Sequence, residues 1–159
     1  MVTGYRSAIG CILLYKNSNK FIPSVIKYVT KKKYYHSAIY IGDGEIIEIS
    51  PLKIGIVKLN YKHDFDVYTF NSPFIGTGIK WAKKTLKDVK GYGWGNLFIF
   101  LWIKAARKIN IKWYEGNYFQ TCSEFTSKYL EKCRVTKKKE INSLLSPGDL
   151  PDYFYIYKE

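Results

Sequence analysis

One short segment of the chain combines the features that make a cysteine reactive. Thr121-Cys122-Ser123-Glu124 has the form of a capping box, in which the Glu124 amide donates to the Thr121 side chain and the Thr121 amide donates to the Glu124 carboxylate. This pattern predicts a helix that begins at Cys122. The unpaired amides and the positive dipole end at a helix start favour a thiolate, and they can also hold an oxyanion. Cys122 is therefore a candidate nucleophile, although the position also suits a small buried apolar residue.

A thiolate nucleophile generally needs an imidazole partner, and the chain has two histidines. His36 lies in the β-rich run 35–41, whereas His63 lies in a polar loop between two other β-rich runs. A histidine in such a loop is typically exposed, and a histidine in a strand can be purely structural. The joint context with Cys122 favours His36 as the general base.

Glu48 is the candidate for orienting the imidazole of His36. It is a carboxylate in the otherwise apolar run 45–50, where an ionised group needs a partner. This run and the run that contains His36 flank a glycine-bearing turn, so together they predict a β-hairpin. Glu45 lies next to the turn and is expected to be exposed.

The length of that turn decides whether Glu48 and His36 share a face of the hairpin. A three-residue turn pairs Ala38 with Glu48 and places Glu48 diagonal to His36 on the same face. A two-residue turn at Asp43-Gly44 moves the carboxylate to the opposite face. The assignment of Glu48 therefore requires the longer turn or a β-bulge.

The segments around these residues predict an α+β fold. No helical pattern separates the last four of the β-rich runs, so we expect a largely antiparallel sheet of five to six strands packed against helices. The β-rich runs are 9–15, 35–41, 45–50, 54–59 and 65–70. Helices are predicted over 21–30, 76–89, 96–107 and 121–133. No linker or repeat divides the chain, so residues 1–159 are expected to form a single domain.

The three cysteines are odd in number and include no CxxC pair, which indicates neither a disulfide framework nor a zinc site. Cys11 is interpreted as a buried residue of the first strand. Cys133 is expected to pack at the far end of the helix that Cys122 begins. Cys122 is thus the one cysteine with a predicted reactive setting.

The composition indicates which kinds of partner and which cellular compartment to expect. The chain has 26 Lys and Arg against 13 Asp and Glu, and its net charge of +13 favours contact with an anionic membrane or an anionic polymer. The lysines look scattered along the sequence, not gathered into one stripe. No secretory signal is recognised, and the longest apolar run, 97–103, is far shorter than the roughly 20 residues that span a bilayer. We therefore expect a cytoplasmic protein without a transmembrane helix.

Three motifs, in this order, resemble those of circularly permuted papain-like hydrolases of the NlpC/P60 superfamily, near its YiiX/YebB-like branch. GCILLY is similar to the GDILL-type first strand, YHSAIYIGDGEIIEIS to the histidine-bearing hairpin, and TCSEFTSKYL to the cysteine-bearing helix. The resemblance covers about residues 7–155. It implies a permuted papain-like core with Cys122 as nucleophile, His36 as general base and then acid, and Glu48 as the residue that orients His36.

Two positions depart from the pattern of that family. Cys11 stands where the family usually has Asp, and it is interpreted as a buried strand residue, not as a second nucleophile. Ser37 replaces the usual small apolar residue after the histidine, and this difference puts little in doubt.

These observations predict a cysteine-dependent hydrolase that works through a thioester and needs no metal or organic cofactor. Peptide, isopeptide or peptidoglycan-type amides are the first choice of substrate. A lipid acyltransferase or phospholipase-like esterase is the second hypothesis, since similar cores handle acyl chains and the apolar run 97–102 lies near basic residues.

A third hypothesis, from another class, is a non-catalytic nucleic-acid or virion-associated binding protein. The charge of +13 and the aromatic residues favour it, because aromatic rings can stack on bases. Against it, the lysines look scattered, and an acidic partner for His36 would be superfluous in such a protein. We therefore expect no specific nucleic-acid partner.

Overall fold

The computed structural model describes residues 8–17, 21–93, 95, 119–137 and 145–159. The strands of its main sheet are β1 (Ile12–Tyr15), β2 (His36–Gly42), β3 (Glu45–Ile49), β4 (Ile54–Lys58), β5 (Phe65–Thr69) and β8 (Tyr157–Lys158). A separate pair consists of β6 (Gly91–Tyr92) and β7 (Phe119–Gln120). The helices are α1 (Phe21–Thr30), α2 (Ile75–Leu86), α3 (Cys122–Lys132) and the short α4 (Leu150–Tyr153), which a 3₁₀ turn at Pro147–Asp149 precedes.

The main sheet is antiparallel in all its pairings, and helices pack against it, which confirms the predicted α+β class. Its strand order is β4-β3-β2-β1-β5-β8. The interior strand β1 is buried on both faces, so its sequence is apolar at every position instead of alternating. The helix predicted over 96–107 lies outside the described residues. Among the described helices, none has the length and apolar character needed to cross a bilayer.

The two faces of strand β2 are buried in different clusters of apolar side chains. One cluster joins Ile39 of β2 with Phe125 of α3. The other contains Ala38 on the opposite face of the sheet. Because side chains alternate along a strand, His36 shares the face of Ala38. Ser37 by the same rule shares the face that packs against α3.

The turn between β2 and β3 has two residues, the shorter of the two lengths that the sequence left open. Asp43 and Gly44 form it with φ values of 52° and 70°, and Gly42 pairs with Glu45. Left-handed backbone at both central positions is the conformation that short hairpin turns require, and Asp-Gly adopts it readily. By itself this turn would move Glu48 to the face away from His36.

A β-bulge restores the predicted register. The pairing shifts by one residue between Tyr40 and Gly42, and beyond the shift Tyr40 pairs with Ile46. Continuing this register places Glu48 opposite Ala38, as the longer turn would have done. The bulge is therefore what brings the Glu48 side chain to the face of His36.

A buried carboxylate anchors the segment that leads into β2. Asp66 of β5 lies 2.7 Å from Lys16 Nζ and 2.7 Å from the Tyr34 hydroxyl oxygen. It also lies 3.0 Å from Lys33 Nζ and 3.2 Å from Lys158 Nζ. Burial raises the pKa of Asp66, but these donors outweigh it and hold the pKa far below its usual range. The ionised side chain therefore ties Lys33 and Tyr34, just before His36, to the neighbouring strands.

Helices α2 and α3 pack closely because a glycine lies at their contact. A Cβ atom at Gly78 of α2 would lie 2.9 Å from Tyr129 Cε2 and even closer to Cys133 Sγ. One turn further along α2, the ring of Trp81 lies 5.4 Å from that of Phe125, measured between ring centroids. Gly78 thus contacts the C-terminal part of α3, whereas Trp81, later in α2, contacts Phe125 near the start of α3. The two helices therefore run antiparallel.

We predict that Gly78→Ala lowers the free energy of unfolding by about 1–3 kcal/mol, because the added methyl group overpacks the contact between α2 and α3. Gly76→Ala is the matched control on the same helix, since a Cβ there meets no atom within 4 Å. The control should leave stability unchanged or raise it by up to about 1 kcal/mol, because Ala favours helix over Gly. If urea unfolding shows the same change in the free energy of unfolding for both variants, Gly78 does not lie at a close contact between α2 and α3.

Candidate active site

Cys122 lies at the first position of helix α3, as the sequence predicts. The Thr121 amide donates to Glu124 Oε2 at 2.8 Å, and the Glu124 amide donates to Thr121 Oγ1 at 3.4 Å, which completes the capping box. Immediately before it, β7 pairs with β6 through Gln120 and Tyr92. This strand-to-helix transition holds Cys122 in a defined place, with 6% of the residue exposed.

His36 and Glu48 lie together on one face of the hairpin, as predicted for the register that places Glu48 opposite Ala38. The distance from His36 Nε2 to Glu48 Oε1 is 3.3 Å. The two atoms lack the alignment of a hydrogen bond, and Nε2 has no other hydrogen-bond partner among the described residues. The contact is therefore a close charge interaction between a carboxylate and an imidazole that is largely buried.

Cys122 and His36 change each other's protonation. Burial is the largest influence on both groups and disfavours charge on each of them. The charge of His36 and a hydrogen bond with it outweigh burial and lower the pKa of the Cys122 thiol. The same interactions with Cys122, followed by those with Glu48, raise the pKa of His36 to about 9. These interactions thus favour a charged pair, in which a thiolate lies beside an imidazolium.

Glu48 is held in its ionised form by its surroundings. Burial raises its pKa, but the close contact with His36, the charges of His36 and Lys53, and a hydrogen bond with Ser50 lower that pKa below the usual range. Ser50 and Lys53 belong to the turn between β3 and β4, which the Ser50 amide closes by donating to the Lys53 carbonyl at 2.7 Å. The turn therefore stabilises the negative charge that faces His36.

Ser37 also contacts the cysteine, which the sequence analysis missed. Hydrogen bonds from its backbone amide and its side chain lower the pKa of Cys122, after the larger influences of burial and His36. Ser37 is 2% exposed, and its hydroxyl oxygen lies 3.0 Å from that of Thr126, one turn along α3 from Cys122. A hydroxyl has one proton, so when Ser37 donates to the sulfur, Thr126 donates to Ser37. The sequence feature that could have indicated this role is a polar residue in a buried strand, directly after His36.

Tyr92 is a second residue that the sequence analysis did not connect with the site. Burial, then the charges of Cys122 and Glu124, raise the pKa of its phenol above the usual range. The phenol is therefore protonated at neutral pH and lies within the electrostatic field of the thiolate. Its place follows from the pairing of β6 with β7, two segments that are distant in sequence.

The remaining candidates lie where the sequence placed them. Cys11 is buried before β1, and Cys133 is buried at the end of α3, where burial raises its pKa to about 11. His63 is exposed in the turn before β5. Glu45 is partly exposed and pairs with Lys58 at 3.1 Å. The pKa of Cys122 is thus lowered, whereas that of Cys133 is raised.

The described residues include no group of three His, Cys, Asp or Glu side chains arranged to hold a metal ion. They do bring together Cys122, His36 and Glu48, a set of groups that can activate a nucleophile and move a proton. The first turn of α3 adds backbone amides near the sulfur, where an oxyanion would form.

No protein-family model matches the sequence, and no curated protein is significantly similar to it. Membership of the permuted papain-like superfamily therefore stays a prediction from the three motifs.

We predict that Ser37→Ala raises the pH at the midpoint of Cys122 alkylation by about one pH unit, because the thiolate loses a charge-assisted hydrogen bond. The measurement is the rate of iodoacetamide reaction against pH, with the modified cysteine identified by mass spectrometry. Ser127→Ala is the matched control, since the Ser127 hydroxyl is buried in α3, the helix that Cys122 begins, and has no hydrogen-bond partner among the described residues. If the midpoint is the same in both variants, Ser37 does not stabilise the Cys122 thiolate.

Proposed function

We propose that this chain is a cysteine-dependent hydrolase that cleaves amide bonds of the peptide, isopeptide or peptidoglycan type. Cys122 is the nucleophile, His36 is the general base and acid, and Glu48 orients His36. The observation that carries the proposal is the mutual stabilisation of the Cys122 thiolate and the His36 imidazolium, with Glu48 3.3 Å from the imidazole. Such a pair supplies a nucleophile and a proton donor in one site.

The first half of the reaction forms a thioester. The Cys122 thiolate attacks the carbonyl carbon, and the carbonyl electrons move onto oxygen, where amides of the first turn of α3 stabilise the negative charge. His36 then donates a proton to the amide nitrogen. The carbon–nitrogen bond breaks, the amine departs, and the acyl group stays on the Cys122 sulfur.

The second half of the reaction returns the enzyme to its starting state. Neutral His36 takes a proton from water, and the resulting hydroxide attacks the thioester carbonyl. The carbon–sulfur bond then breaks, which releases a carboxylic acid and restores the Cys122 thiolate beside the His36 imidazolium. One amide and one water are consumed, and one acid and one amine are formed.

Each of the two histidine nitrogens has a separate task in this scheme. Nε2 faces Glu48, so Nδ1 is the nitrogen that we assign to proton exchange with the cysteine and the substrate. The Glu48 carboxylate stabilises the imidazolium and holds the ring in one orientation. The same groups can cleave a lipid ester, which makes the lipid hydrolase the second candidate on the same chemistry.

We predict that an electrophilic activity probe labels Cys122 much faster than Cys11 or Cys133 at pH 7, because Cys122 combines a helix N-terminus and a nearby imidazole with a lowered pKa, whereas burial raises the pKa of Cys133. Peptide mapping by mass spectrometry identifies the labelled residue. Cys122→Ser should fold normally and lose both labelling and hydrolysis, tested on a peptide amide, a muropeptide and a phospholipid ester. Labelling of all three cysteines at equal rates, or full activity in Cys122→Ser, would rule out covalent catalysis through this residue.

We predict a bell-shaped dependence of kcat/KM on pH, with an alkaline limb near the His36 pKa of about 9. Glu48→Gln should lower kcat and move that limb to lower pH, because the imidazolium loses the carboxylate that raises its pKa. Glu45→Gln is the matched control on the same strand, since Glu45 pairs with Lys58 on the surface. An alkaline limb that does not move in Glu48→Gln would show that another group orients His36.

A further inference from the structure

Helix α2 presents a row of lysines on the side away from the protein core. Four lysines follow one another at the helical spacing that places side chains on a single face, and all four are exposed. They are Lys80, Lys83, Lys84 and Lys87, the last of which caps the helix. The opposite face of α2 contains Gly78 and Ala82, which are buried. We call the four residues the lysine stripe.

The lysine stripe has an excess of positive charge, with one exposed carboxylate, that of Asp88, directly after it. Helix α2 contains no Asp or Glu, and no stripe lysine forms an ion pair with any residue in the part of the chain that the structure describes. Four charges are thus gathered along about 10 Å of helix. The expectation that lysines are scattered is therefore wrong for this helix, because winding the chain brings residues three and four apart onto one face.

The lysine stripe runs toward the end of the molecule that contains the candidate active site. Gly78 of α2 contacts the far end of α3 near Cys133, and the chain beyond α2 reaches Tyr92 beside Cys122. Because α2 and α3 are antiparallel, the C-terminal end of the stripe lies toward the end of α3 that begins with Cys122. The C-terminal end of the lysine stripe is therefore the end that faces the candidate active site.

We propose that the lysine stripe docks the protein on an anionic phospholipid membrane. The positive charges are complementary to anionic headgroups, which are mobile and can adjust to ammonium groups on long, flexible side chains. Nucleic-acid recognition would favour Arg forks or stacking aromatic rings, but α2 has no Arg and its one aromatic residue, Trp81, packs on Phe125. This docking goes beyond the proposed hydrolysis and does not depend on it.

The experiment measures cosedimentation of the full chain with vesicles of phosphatidylcholine, with and without phosphatidylserine. We expect binding only to the vesicles with phosphatidylserine, and we expect it to weaken as salt is added. Changing the four stripe lysines to Gln should lower the vesicle partition coefficient by at least about 20-fold, since each lysine near an anionic membrane strengthens binding roughly fivefold before screening. Gln is a good helix former at these exposed positions, so the fold should be retained.

The control variant changes four other lysines to Gln, so it has the same net charge as the stripe variant: Lys31, Lys58, Lys62 and Lys137. It should lose no more than about threefold in partition coefficient, and changing the stripe lysines to Arg should retain binding. Equal losses in the stripe and control variants would overturn the proposal, because only net charge would matter. So would stripe-dependent binding to duplex DNA or RNA without binding to vesicles. Cys122→Ser should bind vesicles like the original chain, which separates failure of docking from failure of the proposed catalysis.

Discussion

A charged pair inside a largely buried site is the constraint on which the rest of this structure depends. Burial disfavours both the Cys122 thiolate and the His36 imidazolium, so neither charge would persist there alone. Each is stabilised by the other and by a further partner, Ser37 for the sulfur and Glu48 for the imidazole. Such compensation is strong only at short range in a poorly hydrated site. The start of α3 and the start of β2 must therefore be held together with little freedom.

Several packing features hold the first residues of β2 and of α3 in place. Asp66 ties the segment before β2 to the neighbouring strands through four donors, so the approach to His36 is anchored. Gly78 lets α2 pack closely on α3, and the capping box fixes where α3 begins. The bulge between β2 and β3 then turns Glu48 to the face of His36. These features act on β2, β3 and α3, and all of them bear on the position of the charged pair.

The surroundings of the sulfur come from parts of the chain that are far apart in sequence. Ser37 is next to His36 but reaches Cys122 from the opposite side of β2, with Thr126 behind it. Tyr92 arrives through the pairing of β6 and β7. Ser37 contributes hydrogen bonds to the sulfur, and Tyr92 contributes a buried phenol whose pKa the charge of Cys122 raises. The lysine stripe lies on the outer side of α2 and adds a charged surface that extends toward the same end of the molecule.

The sequence by itself determined the features that depend on local spacing. The capping box predicted that α3 begins at Cys122, alternating and helical periodicity predicted the α+β class, and the motif order predicted the grouping of Cys122 with His36. The sequence made the register of Glu48 depend on a three-residue turn or a bulge, and the structure has a two-residue turn with a bulge. Only the tertiary structure decided the roles of Ser37 and Tyr92 and the lysine stripe. Their significance depends on which distant groups they meet or leave exposed, and that is set by packing, which local sequence does not encode.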